Sequence, residues 1–83
     1  MFYTYVLRSK SNKSFYVGST KDLRKRFSEH NSGKSTYSKK FLPWELIYYE
    51  AYPTYKLAFR REKSFKKRAN GWHELLKRLE IEM

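Results

Sequence analysis

Cysteine is absent from this chain of 83 residues. Disulfide staples, thiolate zinc sites and cysteine nucleophiles are thereby excluded. Long apolar runs are absent as well. No stretch approaches the roughly 20 apolar residues of a membrane span, and no charged start followed by an apolar core marks a secretory signal. A soluble protein of the cytoplasm, with no membrane partner, is expected. Acid is scarce: one Asp and seven Glu stand against 19 Lys plus Arg, a net charge of +11. Such an imbalance in a small chain usually serves a polyanion. Nucleic acid is the favoured partner, with an acidic membrane surface or mere solubility as alternatives. Two-metal phosphodiester chemistry needs several carboxylates in one place, so this acid-poor chain points to one metal ion or none.

What the chain has in quantity is aromatic rings. A single domain over residues 1–83 buries only about 60–65% of its unfolded surface. Large side chains must then fill a thin core, and Phe, Tyr and Trp make up 19% of the residues, eight of them Tyr. Tyrosine-rich cores also leave hydroxyls near the surface. Residues 2–8 and 15–19 read as two aromatic strands of a hairpin, joined by the polar turn Arg8 to Ser14, with Gly18 ending the second. Ser19 or Thr20 is a suitable N-cap for a helix near 21–31, with Asp22 in its first turn. Asn31, Ser32 and Gly33 stop it, and residues 32–40 read as a mobile basic loop. Trp44–Tyr52, bounded by Pro43 and Pro53, is the strongest strand signal, and its nearly continuous apolar content fits a central strand. Thr54 can cap a helix running to about 69, ended by Asn70 and Gly71. Trp72, Leu75, Leu76 and Leu79 share one face of a last helix over 72–81. The order β-β-α-β-α-α predicts an α+β fold, a small three-stranded sheet flanked by helices on one or both faces.

Some polar residues stand where the pattern expects core. Leu23, Arg26, Phe27 and His30 fall at i, i+3, i+4 and i+7. Leucine and phenylalanine belong on that inward face, whereas arginine and histidine need a partner or a cleft. The plainer alternatives are an arginine that snorkels to water and a helix-terminal histidine. Ala58, Glu62, Phe65 and Ala69 form a similar stripe, and Glu62 is the lone acid between Ala51 and His73. An exposed Glu62 would be a surface partner of Arg61 or Lys66. A buried one would be a carboxylate aimed at a cleft, able to hold a single Mg²⁺ (or Mn²⁺), an ion that takes few protein oxygens and keeps its waters.

These segments resemble the GIY-YIG nuclease family over residues 2 to about 69, and the N-terminal nuclease domain of the excision-repair cleaving subunit in particular. Tyr3-Thr4-Tyr5 stands at the first tripeptide, without its glycine and isoleucine, and Tyr16-Val17-Gly18 at the second. Asp22 to Arg26 with His30 and Asn31 is similar to the arginine helix. Pro43-Trp44-Glu45-Leu46 with Tyr48 and Glu50 resembles the third strand. Ala58 with Arg61-Glu62-Lys63 resembles the glutamate helix. Ser19 departs from members that carry lysine there. The resemblance implies a Mg²⁺-dependent DNA endonuclease with Tyr5, Tyr16, Arg26, His30 and Glu62 as catalytic residues and Glu62 as the metal ligand. A phenol with its ordinary pKa near ~10 is a poor base. A neighbouring cation favours the phenolate, so either Tyr5 or Tyr16 could take a proton from water while Arg26 offsets phosphoryl charge. Both hydroxyls are then expected to open onto the surface that holds Arg26 and Glu62.

Lys21, Arg24, Lys34, Lys39 and Lys40, with Lys10 and Lys13, are the candidate phosphate contacts. With no room for a recognition domain, low sequence specificity, or targeting by a protein partner, is expected, in a setting such as DNA repair or recombination. The alternative is a module that binds DNA or structured RNA without cutting it. A purely structural role would leave Arg26 and Glu62 replaceable.

Overall fold

The computed structural model describes residues 1–34, 38–68 and 71–81. Three strands, β1 (Phe2–Ser9), β2 (Phe15–Thr20) and β3 (Trp44–Tyr52), form one antiparallel sheet in the order β2-β1-β3. The helices are α1 (Leu23–Asn31), α2 (Tyr55–Lys66) and α3 (Trp72–Arg78), with a 3₁₀ turn at Ser38–Phe41. The predicted α+β order is therefore observed. No helix among the described residues is long and apolar enough to cross a membrane.

The helices divide between the two faces. On one, Val6 and Val17 pack with Phe65 of α2 and with Trp72, Leu75 and Leu76 of α3. On the other, Tyr5, Leu7 and Trp44 pack with Leu23 and Phe27 of α1 and with Phe41. A bulge in β3 opposite Val6 and Leu7 supplies both faces. Ile47 and Tyr48, adjacent in sequence, reach the first cluster, while Leu46 reaches the second. One extra residue in a strand breaks the two-residue alternation and makes this possible.

The central strand is β1, not β3 as its apolar run suggested. Four consecutive residues of β1, Thr4 to Leu7, are buried, as a strand covered on both faces requires. β3 is an edge strand whose tyrosines leave their hydroxyls near water, and Tyr49 is half exposed.

Element ends differ from expectation for identifiable reasons. Asp22, rather than Ser19 or Thr20, caps α1: its carboxylate accepts from the Lys25 backbone amide at 3.1 Å, and Thr20 Oγ1 accepts from the Asp22 amide. Thr54 caps α2 as expected, accepting from the Leu57 amide at 3.3 Å. α2 stops at Lys66, short of 69, because Arg68 turns into the left-handed region at φ 55°. Ala69 and Asn70 lie outside the described residues. α3 ends at Arg78, with Leu79 and Glu80 turning out of the helix. Part of the supposed mobile loop is ordered. Ser38 is buried, its hydroxyl bonded to His30 and its carbonyl accepting from the Trp44 indole at 2.8 Å. Residues 35–37 of that segment lie outside the described residues.

Candidate active site

The candidate site forms where the two faces meet, at the free edge of β2. Tyr16 projects to the α1 face, against the His30 ring at 4.5 Å and the Trp44 ring at 6.1 Å. Ser19 turns to the α2 face and donates to Glu62 Oε1 at 2.5 Å. Gly18 lies between them, paired with Tyr5 on β1. A side chain at Gly18 would begin 2.5 Å from the Tyr5 hydroxyl and 2.7 Å from Cζ. Gly18 therefore does not end β2, which continues to Thr20; it leaves room inside the strand for the Tyr5 ring to reach the edge.

Tyr5 is buried, with 1% exposure, so its hydroxyl does not open onto the surface. It sits 2.9 Å from His30 Nε2, and His30 Nδ1 sits 2.7 Å from Ser38 Oγ. Burial, then Tyr16, push the Tyr5 phenol well above the ordinary tyrosine range; Glu62 pushes the same way, and Arg26 opposes. His30 is fully buried, and burial followed by the Arg26 charge lowers its pKa to about 4. It is thus neutral near pH 7, donating at one ring nitrogen and accepting at the other. His30 is not an exposed helix-terminal cation. It is the middle of a Tyr5–His30–Ser38 chain.

Arg26 is half-buried beside these groups. Burial opposes its charge, but Tyr5, Glu29 and Tyr16 beside it hold its pKa above the ordinary value. Glu29 also steadies it through an ion pair at 3.2 Å. Glu62 is 8% exposed, not the largely exposed carboxylate that a surface partner would be, although it does pair with one of the two cations that reading named. Its second oxygen, Oε2, meets Lys66 Nζ at 2.6 Å, and Lys66 is half exposed. Tyr16 and Lys66 line one open depression of about 360 Å³ together with Phe15, Val17 and Arg68. Tyr16, Arg26 and Glu62 are thus gathered around the Gly18 edge, while Tyr5 and His30 lie behind them.

Lys21 and Arg24 line a separate hollow of about 450 Å³ on the α1 face, beside Tyr3 and Tyr49. Lys34, Lys39 and Lys40 are exposed on the segment after α1. Three features escaped sequence reasoning. Ser38 carried no signal, because a serine in a basic loop reads as solvent-exposed. Gly18 did carry one, since a glycine inside a strand marks a close approach. Glu50 is a third: it accepts from the hydroxyls of Tyr48 and Tyr52, and from Arg61 Nε at 3.0 Å. The alternation Tyr48, Glu50, Tyr52 places all three on one face of β3 and was visible in the sequence.

Residues 1–74 match the GIY-YIG catalytic domain. The chain belongs to the GIY-YIG family. It is 43% identical over 67 residues to UPF0213 proteins of Streptococcus pyogenes serotypes M5 and M2, covering 80% of this chain and 72% of each of theirs. The solution structure of a UPF0213 protein from Bacillus halodurans superposes with a TM-score of 0.55 at 33% identity, covering 95% of this chain and 85% of that one. A nuclease-type GIY-YIG domain thus accounts for the fold and for the elements that carry the candidate site.

The family implies a divalent cation, for which Glu62 is the candidate ligand. Among the described residues there is no group of three or more His, Cys, Asp or Glu that could hold a metal. Glu62, however, is a buried carboxylate whose Oε1 accepts from the Ser19 hydroxyl and whose Oε2 pairs with the half-exposed Lys66 ammonium. Hard oxygen donors in small number suit Mg²⁺, which keeps several of its waters.

Proposed function

We propose that this protein is a Mg²⁺-dependent DNA endonuclease of low intrinsic sequence specificity, acting in DNA repair or recombination. What carries the reading is the gathering of Tyr16, Arg26 and Glu62 around Gly18 on one edge strand of a strongly basic GIY-YIG domain. Tyr16 is the general base. It is half-buried, lines the open depression and has the Arg26 guanidinium beside it. It accepts the proton as a water oxygen attacks phosphorus and the bond to the leaving ester oxygen breaks; solvent water protonates that oxygen. Arg26 offsets the charge that grows on the phosphoryl oxygens, a kind of contribution worth on the order of 10²–10³ in rate. Glu62, supported by Ser19, would hold the metal ion. When bound, the ion supplies positive charge to the phosphoryl and leaving oxygens.

Tyr5 and His30 act as positioning residues. Burial raises the Tyr5 phenol so far that it stays protonated, which removes it as a base and leaves it a hydrogen-bonding group beside Arg26. Neutral His30 fixes the Tyr5 hydroxyl and is itself fixed by Ser38. Exposed Lys34, Lys39 and Lys40, with Lys21 and Arg24, meet the phosphate backbone.

Single-turnover cleavage of nicked, flapped and junction DNA in Mg²⁺ tests this reading. Arg26→Ala should lose at least about 10²-fold in rate while retaining most of its DNA affinity. Cleavage that survives Arg26→Ala unchanged would belong to a contaminant and remove the reading.

A further inference from the structure

α2 carries its exposed rings on the same stripe as Glu62. Tyr55, Phe59, Glu62 and Lys66 stand at i, i+4, i+7 and i+11, one row along the helix. Tyr55 and Phe59 are 49% and 42% exposed and lie side by side on one helix face. Their rings stack with centroids 5.9 Å apart and planes 13° apart. Phe2 meets Tyr55 edge-on at 5.9 Å and extends the row over the start of β1. Lys63 Nζ lies 5.5 Å above the Phe59 ring, and Lys56 and Arg60 are exposed on the same helix.

We propose that Tyr55 and Phe59 form a stacking platform for unpaired DNA bases next to the phosphate held at the Glu62 edge. Rings interleaved with cations are what a single strand requires, faces for its bases and charges for its phosphates. Spacing agrees. At a rise of about 1.5 Å per residue, Phe59 stands about 4–5 Å and Tyr55 about 10 Å along the helix from Glu62. That spans one to three nucleotides at about 3.4 Å each. Charge also disfavours the plainest competitor, because a second copy seated on this helix would bring +11 against +11. A duplex keeps its base faces stacked inside and cannot use the rings. The platform therefore selects DNA that is unpaired on one side of the cut. This deepens the endonuclease reading of the same edge, but it is a binding statement and is tested without cleavage.

The test is fluorescence anisotropy in chelator, with a labelled thymidine dodecamer and a blunt duplex of equal length. Tyr55→Leu/Phe59→Leu keeps apolar area and helix propensity while removing both rings, and Tyr55→Phe/Phe59→Tyr keeps the rings. The leucine pair should weaken dodecamer binding on the order of 10- to 100-fold and duplex binding by less than about two-fold; the ring-conserving pair should bind like wild type. Unchanged dodecamer affinity in the leucine pair, or equal losses on dodecamer and duplex, would overturn the proposal. So would binding of a uridine dodecamer without binding of the thymidine one. Sedimentation that detects a dimer abolished by the leucine pair would place a second copy on the rings and overturn it as well. If the dodecamer result holds but Mg²⁺ produces no cleavage, the platform stands and the endonuclease reading fails.

Discussion

Adding one methyl group at Gly18 should disable the molecule from inside. The Cβ of Gly18→Ala would stand 2.5 Å from the Tyr5 hydroxyl oxygen, 2.7 Å from Cζ and 3.1 Å from Cε1, against ordinary contacts of 3.4–4 Å. The Tyr5 ring must retreat by close to an ångström, and it has little room, since it is 1% exposed and packed with Leu7, Trp44, Tyr16, Leu23 and Phe27. Overpacking of this kind costs about 1–3 kcal/mol. Displacing the hydroxyl from His30 adds about 1 kcal/mol. The lower chain entropy of unfolded alanine returns about 0.4–1 kcal/mol. The net loss is about 1–3 kcal/mol, which for a domain of this size lowers Tm on the order of 5–20 °C. Thermal unfolding followed by circular dichroism measures it. The same change made in a Tyr5→Phe background should cost less, because the shortest contact has gone. A Gly18→Ala protein melting within about 2 °C of wild type, or an undiminished cost in the Tyr5→Phe background, would refute the close-approach argument.

Other outcomes follow from the same geometry. His30 is neutral when folded, with its pKa lowered to about 4 against an ordinary value of about 6.5. Unfolded chains therefore take up a proton that folded chains refuse, so stability should be intact above about pH 6.5 and fall as pH drops toward 4; a Tm series should show this slope, flattened in His30→Gln. Tyr16→Phe should remove most cleavage with Tm nearly unchanged, whereas Tyr5→Phe should lower both, and equal effects of the two in both assays would contradict the division of roles. Glu50→Ala leaves Tyr48, Tyr52 and Arg61 without their shared acceptor. It should destabilise by about 2–3 kcal/mol, read by urea denaturation, with no preferential loss of cleavage.

Much of this architecture was legible because local signals agreed. Alternating aromatics, Thr54 before an apolar stripe and the Trp72–Leu79 periodicity each name an element, and each element formed. β3 misled as the central strand because tyrosine counts as apolar in a run yet tolerates an edge, where its hydroxyl finds water or Glu50. The misplaced Arg26, His30 and Glu62 were legible as oddities of pattern. What each touches was not, since Glu62 finds Ser19 and Lys66 only after β2 and α2 pack together. Tyr5 and Tyr16 look equivalent in sequence. Their difference arises from strand order: β1 is central and buries Tyr5, while β2 is an edge and leaves Tyr16 partly exposed. Ser38 was invisible because its role depends on a turn that no local signal announces.

The central claim is that the Glu62 edge cuts phosphodiesters with the help of a divalent ion. Cleavage of flapped and junction DNA by purified wild type and Glu62→Ala proteins, titrated with Mg²⁺ and with chelator, tests it most directly. Wild type should cut in Mg²⁺ and stop in chelator, and Glu62→Ala should bind DNA with similar affinity but cut at least about 10²-fold more slowly. Cleavage by Glu62→Ala at the wild-type rate, or wild-type protein that binds every substrate and cuts none in Mg²⁺, would contradict the account.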